Sequence, residues 1–348
     1  MPLLEKIIAH GLYSSRSLRR GRPSRRFHAA LASISLGVLV GVSGQALAGP
    51  TYVALGDSIT FGETDLLYRQ SFGDRGYVSR YADVLANRNG GSRPDVINLA
   101  IDGETASSFM TGSGRTPPIV GRTDVPLQLE NLNYSAGNLV PQGTLFASTV
   151  AAQQALGNTI NTVTITLGFN ELAALASLPT QVALTQIAPT LDAYQASYAA
   201  VLTQIRNLLP NADLALLGYF NPFPADPASP AAPIFAAGGG PLNTIIQGLA
   251  ARFGATYVDN FTPFVGNEAR YAYQALQPAR SSVPDPFGGA LPIGNVHPNA
   301  LGYDVIAGQL AAATPVAVPE PSSLALLLVG VGALGLVWRR RPTGPIAV

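Results

Sequence analysis

The run Thr162-Val163-Thr164-Ile165-Thr166-Leu167 is β-branched at nearly every position and stops at Gly168-Phe169-Asn170-Glu171. β-branched side chains favour the crowded, pleated surface of a sheet, so this run predicts the strongest strand in the chain. Four more short apolar runs, residues 52–55, 95–100, 213–218 and 255–259, predict further strands. Between them lie stretches whose apolar residues recur at helical spacing. Strands that alternate with helices pair in parallel through right-handed crossovers. This predicts an α/β domain, a three-layer α/β/α sandwich around a five-stranded, mostly parallel sheet. No internal repeat or break in composition divides it.

The helices are predicted from their apolar faces. Residues 76–89 place Tyr77, Val78, Tyr81, Val84 and Leu85 together, and residues 146–156, 241–253 and 299–312 are read as helical in the same way. Residues 180–209 carry a long helical pattern with Pro189 in its first third, which predicts two helices or one kinked helix. Residues 112–145, rich in Gly, Pro, Asn and Thr, read as a long loop over the sheet edge. Residues 219–240 hold aromatic side chains, several prolines and the triplet Gly238-Gly239-Gly240, so they are predicted to form no regular element. They are read as an apolar wall or lid, or as a surface loop with no role. Residues 266–294 form a second irregular stretch.

The two ends differ from this body. Residues 1–48 combine a basic segment (Arg16, Arg19, Arg20, Arg22, Arg25, Arg26), an apolar run from Ala29 to Val42 and the small-x-small trio Ala46-Leu47-Ala48. This is the layout of a secretory signal peptide, with cleavage expected after Ala48. A twin-arginine route through Arg25-Arg26 and a retained anchor are the alternatives. At the other end, Val318-Pro319-Glu320-Pro321 precedes an apolar run over residues 324–338 and then Arg339-Arg340-Arg341, a basic stop after a candidate transmembrane segment. This tail resembles the PEP-CTERM sorting signal of Gram-negative bacteria. The resemblance implies a transient membrane anchor, processing by an exosortase-type enzyme, and release to the cell surface or outside the cell. A plain membrane anchor is the alternative.

Setting both ends aside changes the electrostatics. Of 21 Lys and Arg, seven lie in residues 1–48 and three in the tail, leaving 11 against 18 Asp and Glu in the body, a formal charge of −7. An acidic body without a basic stripe argues against nucleic acid as a partner. There is no cysteine, so disulfides, cysteine nucleophiles and thiolate metal sites are excluded.

The residues that could carry chemistry sit at predicted strand ends. The strand over 52–55 runs into Gly56-Asp57-Ser58, a tight turn opening into a helix. Ser58 is thereby placed at the sheet edge where α/β proteins bind ligands, or it simply caps a helix. A serine hydroxyl needs a neighbouring base and donors aimed at a developing oxyanion. Of three histidines, His10 and His28 lie in the leader, so His297 is the one imidazole left to the body. It is either that base or a histidine satisfied within a loop.

Taken together these segments resemble the GDSL or SGNH hydrolases, over residues 51 to about 312. Gly56-Asp57-Ser58, Asn98-Leu99-Ala100-Ile101-Asp102-Gly103, Gly168-Phe169-Asn170-Glu171 and Val296-His297-Pro298 match that family's blocks in order. The resemblance implies a flavodoxin-like SGNH fold spanning residues 49–317, with Ser58 as nucleophile and His297 as base. It also implies an oxyanion hole of the Ser58 and Gly103 N–H groups and the Asn170 amide, with no metal or organic cofactor. Asp57 is expected to structure the turn rather than to move protons. No Gly-x-Ser-x-Gly elbow is present.

Two positions depart from the family pattern. Glu171 stands where aspartate is usual, and Gly294 stands where the aspartate three residues before the histidine normally orients the imidazole. Asp285, Asn295 or a backbone carbonyl could substitute, or the site could be a Ser-His dyad. The function implied is an exported esterase or lipase-like hydrolase of lipid or small carboxylic esters. Phe220, Phe223, Phe235 and Phe287 favour a fatty-acyl ester, whereas the sorting tail favours O-acetyl groups on exopolysaccharide. A third alternative is a non-catalytic surface or matrix protein on a degenerate hydrolase body.

Overall fold

The computed structural model describes residues 50–65, 71–113, 131, 133, 134, 140–272 and 296–314. The leader, residues 273–295 and the tail with its candidate span 324–338 therefore lie outside the described residues. Among the described residues no helix is long and apolar enough to cross a membrane.

Five strands form one sheet: β1 (Pro50–Gly56), β2 (Asp95–Asn98), β3 (Thr159–Thr166), β4 (Asp213–Leu217) and β5 (Thr256–Val258). Their order is β2-β1-β3-β4-β5 and every pairing is parallel. Among the described residues the α-helices in chain order are α1 (Ser58–Phe61), α2 (Gly76–Arg88), α3 (Ala106–Thr111), α4 (Gln142–Ala155), α5 (Phe169–Ala174), α6 (Thr180–Leu208), α7 (Ala232–Arg252), α8 (Glu268–Tyr271) and α9 (Ala300–Ala313). Helix α2 packs with α9, whereas α6 packs with α3, α4 and α7, giving the three layers. The sheet's side chains, Tyr52, Val53, Leu55, Val163, Ile165, Leu214 and Leu216 among them, are buried in one continuous core.

The strand order reverses between β1 and β3. In parallel sheets of this kind a crevice opens at that reversal, outside the carboxyl ends of the strands. The register pairs Gly56 with Thr166, so the segments that leave the two strands, Asp57-Ser58 and Leu167 to Asn170, start side by side. Only glycine fits at the first of these exits. Gly56 has φ +119°, and a Cβ there would lie 2.0 Å from the Thr166 carbonyl oxygen. Gly56→Ala is expected to destabilise the fold by about 3 kcal/mol or more, since neither backbone can yield. A chemical-denaturation midpoint within error of the parent protein would contradict this.

Three sequence expectations change. Residues 219–240 are not irregular throughout, because α7 begins at Ala232 and runs through all three glycines and Pro241. Tertiary burial of Ile234, Phe235, Leu242, Ile246 and Leu249 outweighs poor intrinsic propensity. Gly238 also permits close packing, since a Cβ there would meet Leu172 at 3.0 Å and Ile187 at 3.3 Å. Secondly, the loop expected over 112–145 ends early, because α4 starts at Gln142 behind Pro141. Thirdly, the irregular stretch expected from 266 opens with the one-turn helix α8. Residues 180–208 form a single helix with Pro189 inside it.

Candidate active site

Asp57 builds the turn that carries Ser58. It is the N-cap of α1, its carboxylate accepting from the Ile59 N–H at 3.1 Å. Thr166 donates to the same carboxylate at 2.8 Å and the Tyr219 hydroxyl at 2.5 Å. Because the Thr166 hydrogen is committed to Asp57, Thr60 must donate to Thr166 (2.7 Å) and Tyr77 to Thr60 (2.8 Å). The hydroxyl chain therefore points its donors at the carboxylate. Burial pushes the Asp57 carboxyl up to about 6, while the bonds from Tyr219, Thr166 and Ile59 pull it back. Both its oxygens are engaged by structural donors, in keeping with a role in shaping the turn.

Ser58 follows as the first residue of α1, buried but for a small exposed fraction of 7%. Asn170 lies in the first turn of α5, just beyond β3. Its side-chain amide donates to the Glu104 carbonyl at 2.9 Å, which brings it beside Gly103, a residue held at φ +71° after β2. That second exit loop is fixed by Asn98, whose amide donates to the carbonyls of Thr60 and Gly73, both at 2.9 Å, and accepts from Ala100 N–H at 3.0 Å. Ser58, Gly103 and Asn170 thus leave three neighbouring strands, β1, β2 and β3, at one edge.

Glu171, the departure from the family's aspartate, is buried. One carboxylate oxygen accepts the Ala106 N–H at 2.7 Å, and the other has no hydrogen-bond partner among the described residues. Burial pushes its pKa up to about 7, with the negative charges of Asp57 and Glu104 adding to the effect.

His297 arrives from the far end of the chain. Asn299 caps α9 by accepting from Gly302 N–H at 3.0 Å, and its own amide donates to the Arg270 carbonyl at 2.8 Å. Thr64, just past α1, donates to the Pro298 carbonyl at 2.5 Å, tying the histidine segment to the helix that starts at Ser58. Arg75 lies on the same side, donating to the carbonyl of Phe61 at the end of α1 at 2.7 Å. Burial, and then the positive charge of Arg75, push the His297 imidazole down to about 4, so the ring is neutral at pH 7. Gly294, Asn295 and Asp285 lie outside the described residues, and so does Phe287.

The aromatic residues expected as an acyl wall pack on one another. Phe235 stands 4.4 Å from Phe169 and 5.0 Å from Phe223, ring centre to ring centre, and Phe220 stacks on Phe264 at 4.1 Å. All five are buried. Two further contributors had no sequence signal. Gln142 falls inside the expected loop, and Glu104 directly follows the block that ends at Gly103. Among the described residues no three His, Asp or Glu side chains converge as a metal site would.

A family model described as "GDSL-like Lipase/Acylhydrolase family" matches residues 54–305, and one described as "PEP-CTERM protein-sorting motif" matches residues 317–341. No curated protein matches the sequence. Among solved structures, the lipase Lip_vut3 from a goat rumen metagenome is similar with a TM-score of 0.50 and 20% identity, covering 76% of this chain and 97% of that one. An extracellular lipase from Streptomyces rimosus gives 0.48 and 20%, covering 76% and 100%. An acetylxylan esterase from Geobacillus stearothermophilus gives 0.45 and 16%, covering 78% and 98%. At such identities the likeness of the first is one of fold.

Proposed function

The chain belongs to the GDSL-like lipase/acylhydrolase family of carboxylic ester hydrolases, and from that premise we propose that its body is an exported serine hydrolase working through an acyl-enzyme. His297 takes the Ser58 proton as Oγ attacks the ester carbonyl. The tetrahedral oxyanion is held by the N–H groups of Ser58 and Gly103 and by the Asn170 amide. His297 then protonates the leaving alcohol, and water repeats the cycle on the acyl-enzyme. No step calls on a metal or an organic cofactor.

The observation that carries this reading is the meeting of three exits at the reversal of the strand order. Asn170 hydrogen-bonds the residue after Gly103, and Gly56, two residues before Ser58, pairs with the end of the strand that leads to Asn170. In this reading the amide of Asn170, oriented by the Glu104 carbonyl, is the side-chain donor to the oxyanion. Asn170→Ala is expected to lower kcat on p-nitrophenyl acetate by roughly 10²–10³-fold with little change in KM. Unchanged turnover would make the third block structural.

The domain limits follow the same reading: residues 1–48 as a cleaved signal peptide, 49–317 as the hydrolase and 318–348 as the sorting signal with its transmembrane segment 324–338. The PEP-CTERM motif supports export, handling by an exosortase-type enzyme and a cell-surface or extracellular site in a Gram-negative host. It also favours a second substrate class, O-acetyl groups on exopolysaccharide, beside lipid or small esters. Comparing short-chain and long-chain aryl esters with an acetylated glycan separates the two.

A further inference from the structure

Gln142 is the first residue of α4, and its side chain is buried. Its amide oxygen accepts the Gly56 N–H at 2.7 Å and its amide nitrogen donates to the Gly56 carbonyl at 2.9 Å. The same nitrogen donates to the Glu104 carboxylate at 3.0 Å. All three functions of one amide are thus spent, two on the residue that precedes Asp57-Ser58 and one on the residue that follows Gly103. Glu104 passes the connection on, since its carbonyl accepts the Asn170 amide at 2.9 Å and its carboxylate is also held by the Ser108 hydroxyl.

We propose that Gln142 is a positioning residue for the reaction, a clamp that sets the nucleophile turn against the Gly103–Glu104 loop and, through Glu104, against Asn170. The inference rests on the serine-hydrolase reading above. A primary amide is suited to this task because it presents an acceptor and two donors in one rigid plane. A β1 exit that shifted relative to the Gly103 loop would carry Oγ away from the donors its oxyanion needs. Misplacement by about 1 Å is enough to cost of order 10²-fold in rate.

The test uses the full chain, p-nitrophenyl acetate and two variants, with Ser58→Ala as the control for the underlying reading. In Gln142→Leu, kcat is expected to fall by about tenfold to a hundredfold while KM stays within about twofold and the thermal transition remains cooperative. Gln142→Glu is nearly isosteric and keeps the acceptor for Gly56 N–H. When ionised it has no donor and faces Glu104, with Asp57 and Glu171 as the other carboxyls in this buried space. When protonated it recovers one donor. Its kcat relative to the parent protein, measured at each pH, is therefore expected to rise as pH falls from 8 to 5.5.

Parent-like kcat in a folded Gln142→Leu protein, or a flat ratio near one for Gln142→Glu, overturns the clamp. Failure of both variants to fold also overturns it and makes Gln142 a stability residue. If Ser58→Ala keeps full activity, the serine reading itself fails, a result separate from any behaviour of the Gln142 variants.

Discussion

Ser58→Ala is expected to lower kcat for p-nitrophenyl acetate by at least about 10⁴-fold, with an unchanged circular-dichroism spectrum and a denaturation midpoint close to that of the parent. The loss is large because in this reading the step that splits the reaction in two is attack by the Ser58 Oγ, which alanine lacks. The fold is spared because the turn is held from elsewhere. The Asp57 carboxylate takes its bonds from Ile59 N–H, Thr166 and Tyr219, and Gly56 is held by Gln142. An alanine variant that hydrolyses the ester at the parent rate would remove Ser58 from the chemistry.

His297 gives the second large effect. His297→Ala is expected to cost about 10⁴-fold or more in kcat/KM, and the parent's pH profile reports how the ring is supported. The active form is neutral imidazole, so activity falls as pH drops through its pKa in the free enzyme. Burial and Arg75 place that pKa at about 4, well below the ordinary histidine value. The acid limb of kcat/KM is therefore expected below pH 5. A limb at 6.5 or above would show that a carboxylate faces the imidazolium, and Asp285 would then be the first candidate to substitute.

Stability follows the same groups with mixed sign. The folded His297 pKa lies below its unfolded value of 6.5, so its contribution is complete above 6.5 and is lost as pH falls toward 4. Asp57 and Glu171 are raised to about 6 and 7, so they favour the fold at lower pH and lose that contribution as pH rises through those values. Between pH 7 and 4 the two effects oppose each other.

Much of this was legible in the sequence because β-branched runs ending in Gly, Asp or Asn announce both a parallel strand and its functional end. Thr162 to Leu167 fixed the central strand, and the residues just beyond it, Gly168 to Glu171, fixed one wall of the candidate site. His297 could be nominated by elimination alone. Gly238-Gly239-Gly240 misled, because local propensity says nothing of the burial that Ile234, Phe235 and Leu242 gain as one helix face. Gln142 was invisible for a different reason. A buried amide that bridges two loops leaves no periodicity and belongs to no motif, and only the geometry around Gly56 reveals it. Phe220, Phe223 and Phe235 are legible as apolar, but their packing on other aromatic rings is a matter of tertiary contact that no local pattern carries.

The most direct measurement of the central claim is covalent labelling of the purified full chain with a fluorophosphonate probe, with the modified residue located by peptide mass spectrometry. A nucleophile activated by the neutral imidazole of His297 predicts one stoichiometric adduct, on Ser58, that disappears in His297→Ala. An unlabelled but natively folded protein, or an adduct on any other residue, contradicts it and leaves the body a hydrolase fold without hydrolase chemistry at this corner.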